Sequence, residues 1–368
     1  MRARSLRVAQ LRTHAALELP LDRDLTIVDG PNGAGKTNLL EAIVLAATGR
    51  SWRTRTDREL VRHGEDAGKA ELRFADSVGT EHRVSLTVHR GSAERQHVLD
   101  GGRVELGAPR PLVVVFAPDR LALVQGSPQG RRAHVDQLIA ALWPSRNAAR
   151  VEYSRALSQR NALLHRPLSP AMDAWEAELA RHAFALRDAR RSAIEALSTG
   201  FHDLGVDLGI TGKPTLAYRA ADATESVEDL AQLLAERRDR DRERGFTTVG
   251  PHRDELLIRR DDRDLRAYGS QGEQRLAVLA LLLTERALIT EVRGHPPLAL
   301  LDDVGSELDP GRRRRLVSEV CRYGQVVIAT TSADELGPLG IPSAAQLVHV
   351  AAEPDAAVPT SLVEIEDA

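Results

Sequence analysis

Residues 30–37 read Gly-Pro-Asn-Gly-Ala-Gly-Lys-Thr. They lie between the apolar run Leu25-Thr26-Ile27-Val28 and the helix-forming Asn38-Leu39-Leu40-Glu41-Ala42-Ile43-Val44. Every fixed position of G-x-x-x-x-G-K-[ST] is met, in the strand–loop–helix setting the motif requires. Gly30, Gly33 and Gly35 let the backbone curl so that successive N–H groups converge on phosphate oxygens. The helix opening beside Lys36 aims its positive end at the same anion. Lys36 is placed to reach the β- and γ-phosphates, and the Thr37 hydroxyl to hold a magnesium ion. Gly30, Pro31, Asn32, Gly33, Ala34, Gly35, Lys36, Thr37 and Asn38 together read as a nucleoside-triphosphate site. A strand feeding such a loop predicts an α/β fold.

The rest of the composition bounds the partners. The 368 residues suffice for two or three packed units, and aromatics are only 3%, so Leu, Val, Ile and Ala must build the cores. Lys36, Lys69 and Lys213 are the only lysines among 50 basic residues, so phosphate contacts outside the loop fall to arginine. The net charge of −3 means that any nucleic acid must be met by local patches. A single cysteine, Cys321, excludes an intramolecular disulfide framework. The N-terminus lacks an apolar signal core, and no apolar run approaches the roughly 20 residues that span a bilayer. The expectation is a cytoplasmic protein with no membrane partner.

In chain order, residues 6–8, 17–19 and 25–28 read as strands, followed by a helix that stops at Gly49. Residues 69–74, 82–89 and 96–99 alternate as antiparallel strands with a turn at Asp100-Gly101-Gly102, and 112–116 is a wholly apolar strand. Residues 128–200 read as two or three helices divided at Pro144 and at the prolines between 167 and 170. Residues 206–219 read as strand. The mixed-sign run 236–244 reads as a solvated helix face or linker. A strand near 256–259, a long helix from Gln271 to about Val292, buried strands at 298–301 and 325–330 and a short disordered tail complete the pattern.

Three later stretches bear on the phosphate loop. Leu298-Ala299-Leu300-Leu301-Asp302-Asp303 is a buried strand ending in two acids, which a parallel sheet would deliver to the edge where the loop lies. There Asp302 can join the magnesium shell and Asp303 can polarise an attacking water. Tyr268-Gly269-Ser270-Gln271-Gly272-Glu273-Gln274-Arg275 opens the long helix with a capping box of Ser270 and Glu273. It is either only a cap or an anion site suited to a γ-phosphate. Ser306-Glu307-Leu308-Asp309 follows the two acids.

In this order the stretches resemble the phosphate loop, signature, Walker B and D-loop motifs of ATP-binding-cassette ATPases. Within that superfamily the chain resembles the RecF recombination-mediator family, through GPNGAGKTNLLEAI, TGRSWRTRTDRELVRHGE, GSPQGRRAHVDQL, SQRNALL, TTVGPHRDEL, YGSQGEQR and LLLDDVGSELD. The resemblance implies an ATPase head with a mixed sheet around the phosphate loop, related to chromosome-organising heads, plus a second, largely helical lobe without a long coiled coil. Lobe I would comprise residues 1–118 and 295–368, and lobe II residues 119–294. ATP and magnesium (Mg2+) would be the cofactors, with Asp302 on the metal and Asp303 and Lys36 catalytic. Ser270, Gln271, Gly272, Glu273 and Gln274 would act on ATP held by a second protomer, and Asp309 would lie at that dimer interface. Arg12 stands where the family has an arginine after an aromatic, but Leu11 precedes it. Thr331 stands in place of the switch histidine of transporter cassettes, Gln125 is the nearest counterpart of a Q-loop glutamine, and Gly305 replaces a bulkier residue. His252 belongs to a Gly-Pro-His-Arg-Asp hallmark without an evident physical role.

The resemblance further implies a weak, DNA-stimulated ATPase and an ATP-dependent homodimer. It implies binding of duplex DNA at single-strand/double-strand junctions, and help in loading recombinase with mediator proteins of the RecR and RecO kind. Arg50, Arg53, Arg55, Arg58 and Arg62 form a basic cluster around Trp52, which either stacks on a base or packs in the core. Arg312 to Arg315 offer a second basic face. No base-reading motif is present, so binding would select structure rather than sequence. The alternatives are the ATPase subunit of a transporter or another cassette, disfavoured by the missing switch histidine, and a structural DNA clamp that uses ATP as dimer glue, disfavoured by the complete set Lys36, Asp302 and Asp303.

Overall fold

The computed structural model describes residues 1–54, 56–91, 95–105, 108–166, 170–303, 308–333, 345–353 and 360–367. The chain divides into two compact units, one of residues 1–120 with 289–368 and one of residues 121–288. The first segment holds β1 (Arg2–Leu11), β2 (His14–Pro20), β3 (Leu25–Asp29), α1 (Lys36–Thr48), β4 (Ala67–Ala75), β5 (Glu81–His89), β6 (Arg95–Leu99), β7 (Gly102–Arg103) and β8 (Val113–Phe116). The second unit holds α2 (Ala122–Gln125), α3 (Pro128–Leu142), α4 (Asn147–Leu164), α5 (Ala171–Asp207), β9 (Pro214–Arg219), α6 (Val227–Glu236), α7 (Arg238–Arg244), β10 (Glu255–Arg260), β11 (Arg263–Asp264), α8 (Leu265–Tyr268) and most of α9 (Gln271–Arg293). The chain then completes the first unit with β12 (Leu298–Asp302), α10 (Pro310–Cys321), β13 (Val326–Ala329), β14 (Gln346–Ala352) and β15 (Ser361–Asp367).

Two sheets build the first unit. One runs β15-β14-β3-β13-β12-β8, with every pair parallel except β14 and β15. Its interior strands β12 and β13 are buried at every residue, as parallel strands covered on both faces must be. The other, β2-β1-β4-β5-β6-β7, is antiparallel, and β5 alternates buried and half-buried positions along its second half. Asp100 and Gly101, both at positive φ, make the two-residue turn between β6 and β7. Helix α1 joins the core of both sheets: Leu39, Leu40 and Ile43 cluster with Leu6 and Leu72 of one and Leu300 and Val327 of the other. Ala42, Leu45 and Ala46 are buried as well, so this helix is apolar nearly all round.

The second unit is largely helical, with a three-stranded sheet β11-β10-β9. One of its core clusters sets Leu179, Ala183 and Leu186 of α5 against Tyr153 and Ala156 of α4 and Leu230 and Leu234 of α6. The α4–α5 pair remains a short hairpin rather than a long coiled coil. Among the described residues no helix is long and apolar enough to cross a membrane.

Three expectations from sequence are corrected. Residues 206–213 are not strand: the buried face that includes Leu197, Phe201 and Leu208 carries α5 on to Asp207, and β9 begins only at Pro214. The charged run 236–244 is not simply a solvated face. Asp241 of α7 is fully buried, because it is a counter-ion to the fully buried Arg160, 2.7 Å away. Residues 361–367 are not a tail: β15 pairs with β14 from Ser361 opposite Ala352 to Asp367 opposite Gln346, satisfying a backbone edge that would otherwise stay open.

Candidate nucleotide site

The phosphate loop leaves β3 and enters α1 through residues that only glycine can supply at two points. At Gly30, φ is 141°, and a Cβ would lie 2.0 Å from the Val350 carbonyl oxygen. At Gly35, φ is 111°, and a Cβ would lie 2.2 Å from Ser361 Oγ. Pro31, Asn32 and Gly33 are exposed, whereas Ala34 is buried. Lys36 Nζ donates to the carbonyls of Gly30 at 2.6 Å and Pro31 at 3.0 Å, so the loop itself holds its ammonium. Asn38 faces its neighbours: Nδ2 donates to Thr13 Oγ1 at 3.0 Å, and Oδ1 accepts from Arg53 at 2.9 Å.

The two acids arrive on β12. Thr37 Oγ1 donates to Asp302 Oδ1 at 2.8 Å. Asp302 is 8% exposed, and burial pushes its carboxyl above the ordinary value, with the charges of Asp303 and Asp119 adding to the push. The Thr37 bond and the Arg53 charge oppose it. A hydroxyl and a desolvated carboxylate side by side form the hard-oxygen donor set that magnesium prefers. Asp303 takes φ 49°, in the left-handed region that few non-glycine residues occupy, while its N–H continues the ladder to Ala329 at 3.0 Å. This backbone turn is the kind of local strain often retained at working sites.

A ring of polar residues gathers beside the loop around a buried carboxylate. Glu41 on α1 is fully buried and receives both arms of Arg12, at 2.9 and 3.0 Å, together with Ser51 Oγ at 2.5 Å and Arg53 at 3.3 Å. Glu41 is the one acid of α1, set among the apolar residues from Leu39 to Ala47, and once buried there it needs a cation. Arg12 also helps line a cavity of about 290 Å³ with Thr13, Arg58, Val61 and His63. Of the basic cluster, Arg62 bonds Thr360 Oγ1 and is half-buried, while Arg50, Arg53 and Arg58 are exposed, Arg53 with its guanidinium on Asn38 and Glu41. Trp52 packs against the core. Arg55, Gly305, Ser306 and Glu307 lie outside the described residues.

Asp309 is the N-cap of α10, accepting from the N–H groups of Gly311 and Arg312 at 3.0 Å each. Arg314 and Arg315 on that helix are exposed. Thr331 lies two residues beyond β13 and is half-buried.

In the second unit, Ser270 and Glu273 close the capping box: Ser270 N–H donates to Glu273 at 2.9 Å and Glu273 N–H to Ser270 Oγ at 3.3 Å. The Ser270 backbone, aided by Arg260, holds the Glu273 carboxyl below its ordinary value. Ser270, Gln271 and Gly272 are exposed. Gln274 is not: its amide donates to the Leu265 carbonyl at 2.8 Å, and its oxygen accepts from Gln125 at 2.7 Å. Gln274 therefore braces the preceding turn, and Gln125 is fastened to it. His252 acquires a physical role. Tyr153 donates to its Nδ1 at 2.6 Å, and Nε2 donates to the Thr247 carbonyl at 2.9 Å, so the ring pins its own loop to α4. Close by, Arg187 spans Asp222 and Asp254, and Arg190 grips Asp136.

A family model described as the RecF/RecN/SMC N terminal domain matches residues 3–337. The chain is 39% identical over 361 residues to the DNA replication and repair protein RecF of Anaeromyxobacter sp. (strain Fw109-5), covering 94% of this chain and 96% of that one. It is 37% identical over 353 residues to the protein of the same name from Acidothermus cellulolyticus, covering 90% and 93%. Among solved structures it is similar to the recombination mediator protein RecF with ATP in the RecFOR pathway, with a TM-score of 0.85, 23% identity, and 99% and 97% of the two chains covered. An Smc head bound to the C-winged helix domain of ScpA shares the fold at a TM-score of 0.59 and 16% identity, with 100% and 98% covered.

Proposed function

The chain belongs to the RecF family, and from that premise we propose that it is an ATP-dependent DNA-binding protein of replication and recombinational repair. The observation that carries the reading is the Thr37–Asp302 contact, which joins the end of the phosphate loop to the end of an acid-tipped parallel strand. Residues 30–37 would hold the triphosphate through backbone N–H groups and Lys36, whose ammonium exchanges two loop carbonyls for phosphate oxygens. Thr37 and Asp302 would hold magnesium, which when bound neutralises phosphate charge and fixes the oxygens it touches. Asp303 would accept a proton from the attacking water.

Ser270 and its exposed neighbours Gln271 and Gly272 would complete the site from a second protomer, at the N-terminus of a 23-residue helix. Asp309, exposed at the start of α10, would meet the same interface. ATP would thus close a homodimer, and slow, DNA-stimulated hydrolysis would release it. Arg50 and Arg58 offer phosphate contacts in one place, and Arg314 and Arg315 in another. Duplex DNA beside single-strand gaps, with RecO- and RecR-type mediators that load recombinase, is the role this reading assigns.

The test is to size the protein with ATP, with ADP and without nucleotide, each with and without gapped duplex. An ATP-specific dimer that gapped duplex reinforces is expected. A mass that stays monomeric under all conditions would refute the reading.

A further inference from the structure

Three segments distant in sequence meet at the phosphate loop through a chain of side-chain hydrogen bonds. Asn38 Nδ2 donates to Thr13 Oγ1 at 3.0 Å, the Thr13 and Ser361 hydroxyls are 2.7 Å apart, and Ser361 Oγ lies 2.5 Å from the Ala34 carbonyl oxygen. A carbonyl only accepts, so the single Ser361 proton goes to Ala34, and the single Thr13 proton must go to Ser361. The direction is therefore set: Asn38 to Thr13 to Ser361 to Ala34. The Ser361 backbone N–H donates to the Thr13 carbonyl at 3.0 Å, which fixes the serine against the β1–β2 turn. Next along the loop, His14 Nε2 lies 3.2 Å from the Gly35 carbonyl oxygen. Two successive loop carbonyls are held by side chains from outside the motif.

The consequence follows from peptide geometry. The carbonyl of Ala34 and the N–H of Gly35 belong to one planar unit and point in opposite directions, so holding the one aims the other. The same holds for the Gly35 carbonyl and the Lys36 N–H. Gly35 also has no Cβ where Ser361 Oγ sits, which lets the serine approach the backbone directly.

We propose that Ser361 is a positioning residue for the phosphate loop, so that the C-terminal strand β15 is part of the nucleotide site. It touches no reacting atom. It sets the Ala34–Gly35 peptide before the triphosphate arrives, and so contributes to affinity through preorganisation. This inference rests on the reading of residues 30–37 as an ATP site.

The experiment compares wild type, Ser361→Ala, Ser361→Thr and Lys36→Ala as full chains, by equilibrium binding of ATP, phosphate release and thermal melting. Ser361→Ala is expected to raise Kd and KM for ATP about three- to tenfold, the worth of one hydrogen bond, with kcat within about twofold. Ser361→Thr keeps the hydroxyl and should restore the affinity. Equal ATP affinity in wild type and Ser361→Ala would overturn the proposal, as would a fall in kcat at unchanged KM. A lowered melting point with unchanged affinity would also overturn it, since the serine would then serve stability alone. If wild type and Lys36→Ala both failed to bind ATP, the nucleotide reading itself would fall, and the brace with it.

Discussion

Thr37 Oγ1 donates to Asp302 Oδ1 at 2.8 Å, joining residues 265 positions apart. Strands β3 and β12 are not neighbours, since β13 lies between them, yet all three run parallel and end at the same edge. The loop after β3 and the acid at the tip of β12 therefore meet side by side. On the proposed reading, Asp302→Ala should remove one of the two side chains that would hold magnesium. The magnesium concentration for half-maximal ATP hydrolysis should rise more than about tenfold. An unchanged magnesium titration would exclude Asp302 from the metal shell.

Asp303→Asn should separate binding from chemistry. The amide cannot take a proton from water, so phosphate release should fall about 100-fold or more, while ATP affinity stays near that of wild type. The variant should persist as an ATP-bound dimer in light scattering. A variant that stays monomeric with ATP would sink the two-protomer site.

Gly30→Ala should damage the loop from within. The added methyl would collide with the Val350 carbonyl of β14, a rigid backbone atom, at a φ that L-residues rarely adopt. Such strain costs on the order of 1–3 kcal/mol. Both the melting temperature and ATP affinity should drop. A variant with wild-type melting and affinity would contradict this close approach.

Arg160→Met probes the second unit. Arg160 is fully buried and bonds Glu176 at 3.1 Å and Asp241 at 2.7 Å, both of them buried too. Removing the cation leaves the buried Asp241 without its arginine, while Glu176 keeps Arg238, at a cost of roughly 3–5 kcal/mol. Urea denaturation reads this directly, and a loss below about 1 kcal/mol would mean the unit repacks around the missing charge.

The buried imidazole of His252 makes stability depend on pH. Burial holds it below its ordinary value of 6.5, and the charges of Arg253 and Arg132 push the same way, against the Thr247 bond and Asp254. The folded value lies below the unfolded one, so the unfolded chain takes up the proton first. Stability is thus unaffected above the unfolded value and lost as pH falls below about 6.5 toward the folded one. Melting temperatures at about pH 7.5 and about pH 5.5 should differ more for wild type than for His252→Gln. Equal differences would show that His252 does not carry the dependence.

The phosphate loop and the acid-tipped strand were legible in the sequence because both are local. The spacing of Gly30, Gly35, Lys36 and Thr37 encodes a turn and a helix start, and an apolar run ending in Asp302 and Asp303 encodes a buried strand with a polar tip. The capping box of Ser270 and Glu273 spans three residues and forms as read. The buried status of Asp241 was hidden, since within a run of alternating charges nothing local distinguishes the one acid that turns inward to meet Arg160.

Other relationships belong to the tertiary structure alone. Ser361 is an ordinary serine in a short polar-flanked segment until β14 pairs with β3 and carries β15 to the loop. Glu41, Arg12 and Arg53 are unremarkable charges until α1 is enclosed by two sheets and its one carboxylate needs a cation. The sequence by itself determined the loop, lysine and acid-tipped strand proposed to bind a triphosphate, because each lies in a few adjacent residues. Only the fold decided what holds them still, because a brace must come from outside the segment it braces.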